Sequence, residues 1–485
     1  MAAVQLMGSR LTRLDIARPG RLRRQAFRTS HQTAGRAEIL RKRTTIVSLA
    51  AIGVMLMSAA CSAENGAGQD IQTEAAEFTS SDGTIVEADG SETIGLAFTY
   101  FWYAVHETPE DCPDGYAMAL RDVAIMNLPE AKQKYLLQPE NRSTYYKMGY
   151  ALSAKRMIEH NGTPICNIPD AYDDPPHRTV QSSVSFGRDL DGQDSQGDDP
   201  ASCGTSDFVS PTGEGGIDNE LYRVLGCIDS FRRDAEFAGG AMEDYHIGAY
   251  RDGEVTTLME IRGVDDRTND ESVEVGIYSS QDPTPYNSEK DGVPFGSMTV
   301  TDNTLWHNKV QGWIVDGELI TEPFDLRLKF GWTGRPAEYV IKGARVHLTL
   351  NGDGTASGDL AGYFDTRYAY WHNFHNEQGA LEVANGFTCP AVYDALQKYS
   401  DGYPDPETGK CTAISTAMNI TAVPAFVIHP QADQLKRYFL DTREYYGVSM
   451  DEIAVADAEP MALVGVGGPP AAASVRKVKE KNDQE

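Results

Sequence analysis

The spacing of apolar residues changes along this chain, and the change separates its parts. Phe324, Leu326, Leu328 and Phe330 alternate with Asp325, Arg327 and Lys329, the period-two pattern of a half-buried strand. Ala344, Val346, Leu348 and Leu350 repeat the pattern. They run into Asn351, Gly352, Asp353 and Gly354, a tight-turn sequence, from which residues 355–363 can return as a polar strand. Val273, Val275 and Ile277 alternate in the same way. Alternation also places Arg345, His347 and Thr349 together on the solvent side of their strand. Upstream, the aromatic run over residues 96–103 reads equally as a buried strand or the start of a helix. A helix is predicted over 143–160, with Ser143 as cap, a stripe of Tyr146, Tyr150, Ala154 and Met157, and a stop at Asn161 and Gly162. Leu221, Val224, Leu225 and Ile228 have helical spacing too, with Cys227 beside them. From about Gln378 helical spacing returns, at Ala391, Leu396 and Tyr399 and in the small-residue stretch 412–420.

These periods predict an α+β fold: an antiparallel β-sandwich or a curved sheet, with helical additions and disulfide stabilisation. The expected organisation is an upstream extension and export signal over 1–60 and a flexible tether over 61–90. A mixed helix/strand unit containing disulfides follows over 91–265, then a β-rich unit over 266–377. A helical part over 378–464 packs on the β-rich unit, and a disordered tail covers 465–485.

The N-terminal segment carries an address. Residues 1–40 are rich in arginine and hold no apolar run, so they are set aside from the fold. Arg41, Lys42 and Arg43 then precede an apolar run over 44–60, shorter than the roughly 20 residues that span a bilayer, which reads as an export signal. The run ends in Ala59, Ala60 and Cys61, a junction that resembles the processing site of bacterial lipoproteins, although Ser58 stands where a leucine is usual. The resemblance covers the targeting segment. It implies acylation of Cys61 as the new N-terminus, a membrane partner reached through that lipid, and a cell-envelope location. Ser62, in place of an acidic residue, points by the same resemblance to the outer membrane.

Setting Cys61 aside leaves Cys112, Cys166, Cys203, Cys227, Cys389 and Cys411, an even number suited to disulfides in an oxidising compartment. Loop-closure cost favours three sequential pairs, Cys112–Cys166, Cys203–Cys227 and Cys389–Cys411. Charge narrows the partners. Residues 1–60 hold 11 of the 43 Lys and Arg and 2 of the 71 Asp and Glu, leaving 32 against 69 and a formal charge of −37. Such a chain repels phosphate backbones, and no nucleic-acid partner is expected.

Three segments offer chemistry. Asp189, Asp191 and Asp194, closed by Asp198 or Asp199, have the spacing of carboxylates around a hard cation, and Ca2+ in a structural role is the expected cofactor. The spacing departs from the helix-loop-helix calcium loop at Asp194 and Pro200. Asp218, Asn219 and Glu220 stand at a helix entrance, where they can cap the helix or hold a cation presented by the Asp189 loop. Trp306, Trp313, Trp332 and Trp371 supply flat rings suited to a sugar or another planar ligand, so a polysaccharide or an envelope protein is the candidate partner. His372 and His375 could share a helix face near Asp365 or Glu377, but the glutamate of a zinc-protease motif is missing from its place. Asn351, Asp353 and Asp359 read as a β-turn cluster. The resulting expectation is a lipid-anchored envelope protein with a non-enzymatic binding or structural role. The other reading is a secreted hydrolase with His246, His347, His372 or His375 set among carboxylates.

Overall fold

Strand β9 (Arg335–Leu350) organises the sheet. Its buried apolar residues Ala337, Tyr339, Ile341, Ala344, Val346 and Leu348 all face one core. The alternation skips one position between Ile341 and Ala344, where Gly343 takes φ +57° and the register with the next strand shifts. This bulge lets both halves of a 16-residue strand bury the same face while the strand bends. The first half of β9 pairs with β8 (Phe324–Trp332) and the second with β7 (Glu318–Thr321). The structure, a computed structural model, describes residues 84–86, 90–158, 162–197, 202–235, 239–280, 282–332, 335–374 and 386–440. All of these belong to one of two compact units, Thr73–Glu485. Cys61, the export signal, Asp198 and the tail over 465–485 lie outside the described residues.

The remaining strands close the sheet on itself. β2 (Glu92–Tyr103) pairs with β3 (Thr256–Val264), which pairs with β4 (Asp270–Ser280), which pairs with β6 (His307–Val315). β6 continues to β7, and β9 to β10 (Ala356–Asp365) and then β12 (Cys411–Ile428). β12 returns to β2, from Met418 opposite Tyr103 to Pro424 opposite Leu96, and every pairing in this circuit is antiparallel. The curved antiparallel sheet with helical additions is therefore a closed barrel, which leaves the circuit without an exposed edge. The rings of Phe101, Phe330 and Phe364 surround Tyr339 at centroid distances of 5.8, 4.2 and 5.6 Å and fill the interior there. Besides β8, which pairs only with β9, three short strands lie off the circuit: β1 (Thr84–Val86) on β2, β5 (Gly296–Thr299) parallel to the end of β12, and β11 (Gly402–Pro404) on its start.

Several sequence expectations change here. The stretch 412–420 is strand, not helix. Its inward residues Ile414, Met418 and Ile420 and its outward residues Ala413, Ser415 and Ala417 are all buried, so no polar alternation marks it. The run over 96–103 resolves as strand β2. In α3 (Arg142–Arg156) the covered stripe passes through Gly149 and Ser153 to Met157, whereas Tyr150 and Ala154 are exposed. The offset follows from α1 (Leu120–Met126), which packs so closely that a Cβ on Gly149 would sit 2.9 Å from Arg121 Cβ.

The three sequential disulfides are also replaced. The bonds are Cys112–Cys227, Cys166–Cys389 and Cys203–Cys411, closing separations of 115, 223 and 208 residues. Closure entropy grows only with the logarithm of loop length, so folded geometry decides the partners. Here α4 (Glu220–Leu225) and α7 (Cys389–Lys398) pack against each other, and α7 also packs on the helical turn that carries Cys166. The pairing thereby joins segments that are far apart in sequence.

Candidate metal centre

The outer wall of the barrel carries small side chains where β9, β10 and β12 run side by side. Its outward residues include Ala361, Ala413 and Ala417, which leave room for Leu190 to pack among them together with Ala104, Tyr363 and Tyr403. Two arginines fasten the loop around that leucine. Arg188 donates two parallel hydrogen bonds to Asp359 of β10, both 2.7 Å, and Arg345 of β9 donates to the Leu190 carbonyl at 2.8 Å. Asp189 and Asp191 flank Leu190, so anchoring the leucine also positions both carboxylates.

Asp218 joins them through the backbone. Its amide donates to the Arg188 carbonyl at 2.9 Å, and the Leu190 amide donates to its Oδ2 at 2.6 Å. Asn219 fixes the segment further, donating to the Phe186 carbonyl at 2.8 Å and accepting from the Ala417 amide at 3.3 Å. The approach requires glycine at Gly216, which has φ +73° and where a Cβ would fall 2.4 Å from the Gln193 carbonyl oxygen. As a result one oxygen from each of Asp189, Asp191 and Asp218 lies within 4.8 Å of the others. This cluster, which runs from exposed Asp189 to buried Asp218, could coordinate a divalent metal ion. Oxygen donors of this kind suit a hard cation.

The electrostatics are unfavourable without positive charge. Burial first, then the Asp401 carboxylate, push Asp218 up to about 9. Burial raises Asp189, and Asp191 adds to the rise. Asp207, whose Oδ2 accepts from the Ser195 amide at 2.6 Å, is pushed up to about 6 by burial and by Asp191, Glu220 and Asp194. Asp401 stands well above the usual carboxylate range because it is buried and faces Glu220. It accepts from the Ser415 amide and hydroxyl at 2.7 and 2.5 Å. Glu220 is raised by burial against a bidentate bond from Arg223 at 2.6 and 2.8 Å. Seven carboxylates, Asp189, Asp191, Asp194, Asp207, Asp218, Glu220 and Asp401, thus interact across the loop layer and the barrel wall.

Of the residues that the sequence singled out here, Asp189 and Asp191 are in the cluster, and Asp218 supplies the third oxygen. Asp194 is exposed and accepts from Gln196 Nε2 at 2.8 Å. Asp207 and Asp401 were not legible in the sequence. Asp207 sits in no spaced acidic run, and Asp401 lies in a Gly/Pro loop some 200 positions away whose approach depends on β12.

The other candidates are dispersed. Trp306 is buried and donates its indole N–H to Glu338 at 2.7 Å. Trp313 lies half-buried in β6, Trp332 ends β8, and Trp371 is half-buried against Tyr370. His246 is buried against Trp102, Tyr250 and Phe330, whereas His347 stands on the outer wall near Glu318, Arg188 and Asp359. The two histidines share none of these neighbours. Asp365 is engaged by Lys342 at 2.9 Å and by Arg367, and His375 and Glu377 lie outside the described residues. Asp353 accepts from the Thr355 amide and hydroxyl, as in a turn, and Asp359 is held by Arg188.

No family model, curated protein or solved structure matches this chain.

Proposed function

We propose that this protein is an exported, lipid-anchored binding or structural component of the cell envelope, and that Ca2+ held by Asp189, Asp191 and Asp218 rigidifies the loop layer on its barrel wall. The observation that carries the calcium reading is the convergence of those three carboxylates on a wall where neighbouring acids already repel them. A divalent ion offsets that repulsion, and calcium accepts the irregular, oxygen-rich coordination that a loop provides. Six cysteines joined in three disulfides accord with an oxidising compartment. The basic-apolar-cysteine order ending at Cys61 supports the lipid anchor, and intact mass of the mature chain tests it through the added acyl groups. An unmodified Cys61, or cleavage elsewhere, contradicts it.

For the metal, calorimetric titration of the chelated protein with Ca2+ is expected to give saturable heat, and Asp191→Asn to weaken it at least tenfold. A ligand at one hundred times its dissociation constant stabilises the native state by about 2.7 kcal/mol, so the chelated protein should melt lower. A melt indifferent to chelator, with no calcium heat, returns the loop to an acidic surface segment.

A further inference from the structure

A recess of about 320 Å³ opens where the chain following β2, residues 176–181 and the end of α7 meet. Its lining includes Asp114, Arg178, Thr179, Gln181, Lys398 and Tyr399. Arg178 and Lys398 make no ion pair with any carboxylate among the described residues, although the chain carries a formal charge of −28. Arg178 Nη1 donates to the Tyr116 carbonyl at 2.7 Å, which fixes one corner of the guanidinium and leaves its other N–H groups for a ligand. Lys398 Nζ stands 4.7 Å from the centroid of the Tyr399 ring and donates to its hydroxyl at 3.1 Å. That hydroxyl lies 3.3 Å from Thr179 Oγ1. Both cations are therefore held at the recess by neutral groups.

The remaining charges leave an excess of positive sign. His177, also in the lining, has its Nε2 2.9 Å from the Val224 carbonyl, and burial lowers it to about 4, so it is neutral near pH 7. Among the described residues, Asp114 is the one carboxylate in the lining. The Cys112–Cys227 bond fixes this edge, since Cys112 lines the recess as well. We propose that the recess binds a small solute through an oxyanion, a phosphate or a carboxylate, received by Arg178 and Lys398. A guanidinium offers parallel donors to two oxygens, and the ammonium adds a point charge. The volume suits a small ligand. This site is separate from the acidic loop and does not depend on a metal there.

Titration calorimetry on the full, disulfide-bonded chain tests the proposal with inorganic phosphate and glucuronate as probes and glucose as the neutral control. Heat from phosphate only identifies a phosphate site, from glucuronate only a carboxylate site, and from both a general oxyanion site; glucose gives none. Lys398→Gln is expected to weaken binding about tenfold, and Asp114→Asn to tighten it about fivefold by removing the opposing charge. Both positions are exposed, so neither variant disturbs a packed core. The gain in Asp114→Asn cannot come from misfolding. Absence of heat with both anions, or affinities unchanged in either variant, overturns the proposal.

Discussion

His246, on the helix Ala241–Arg251, brings an ionisable ring against strands β2 and β8, where it lies 4.9 Å from the Trp102 ring and 5.2 Å from that of Phe330. Its Nε2 meets the Phe101 carbonyl at 2.6 Å, so Nε2 carries the proton of the neutral ring, and burial lowers its pKa to about 4. The unfolded chain takes up a proton near 6.5, whereas the native protein resists until about 4. Between those values the unfolded state binds more protons, so stability is full above about 6.5 and is lost as pH falls toward 4. The loss assignable to this ring is on the order of 3 kcal/mol. The carboxylates raised at the metal centre act with the opposite sign over the same range, so the test is the difference between two proteins. In denaturant unfolding at a series of pH values, His246→Gln, which keeps a donor but does not titrate, should lose less stability between 6.5 and about 4 than the parent. Equal slopes in the two proteins would exclude His246 as a source. At the metal centre, Gly216→Ala places a methyl against the Gln193 carbonyl and forces a strained φ, so calcium binding should weaken while the barrel still melts cooperatively. An unchanged calcium affinity would mean that the loop tolerates the displacement.

Helix packing gives a sharper contrast between two glycines. In α3, Gly149 faces α1, and a side chain there pushes the helices apart, so Gly149→Val should cost about 1–3 kcal/mol. In α5 (Ala241–Arg251), a Cβ on Gly248 meets nothing within 4 Å, so Gly248→Ala should stabilise by about 0.4–1 kcal/mol. Chemical unfolding of the two variants checks both signs. A neutral Gly149→Val would mean that α1 and α3 can separate freely. The same scale explains why some elements were legible and others were not. β8 and the second half of β9 alternate because one face is core and the other is partly wet. β12 is covered on both faces, by the barrel interior and by Leu190 with its loop, so its small residues imitate a weak helix.

For the whole molecule, closure of the barrel depends on contacts distant in sequence. β2 lies near the start of the described chain and β12 near its end, yet they pair directly, so folding must wait for a long loop to close. The disulfides impose the same long-range order. Replacing Cys166 and Cys389 together by serine should cost about 2–5 kcal/mol. It should also leave a chain that refolds more slowly than the oxidised parent, as stopped-flow or manual-mixing fluorescence would show. A double variant with unchanged stability would show that packing of α7 already restrains that loop.

The strand periods over 273–277, 324–330 and 344–350, the turn at Asn351, the acidic run at Asp189 and the even set of cysteines all follow from local order, because each depends on neighbours within a few residues. So does the likeness of the segment ending at Cys61 to a lipoprotein signal. Tertiary structure decided the rest. Which cysteines meet is a matter of where α4 and α7 pack. Which acids meet depends on a wall of alanines that seats Leu190, on Asp218 reaching the loop through its backbone, and on Asp401 arriving beside β12. A carboxylate cluster is defined by distances of a few ångströms, and sequence spacing fixes such distances only within one turn or loop. Between segments separated by dozens to hundreds of residues, the folded barrel alone sets them.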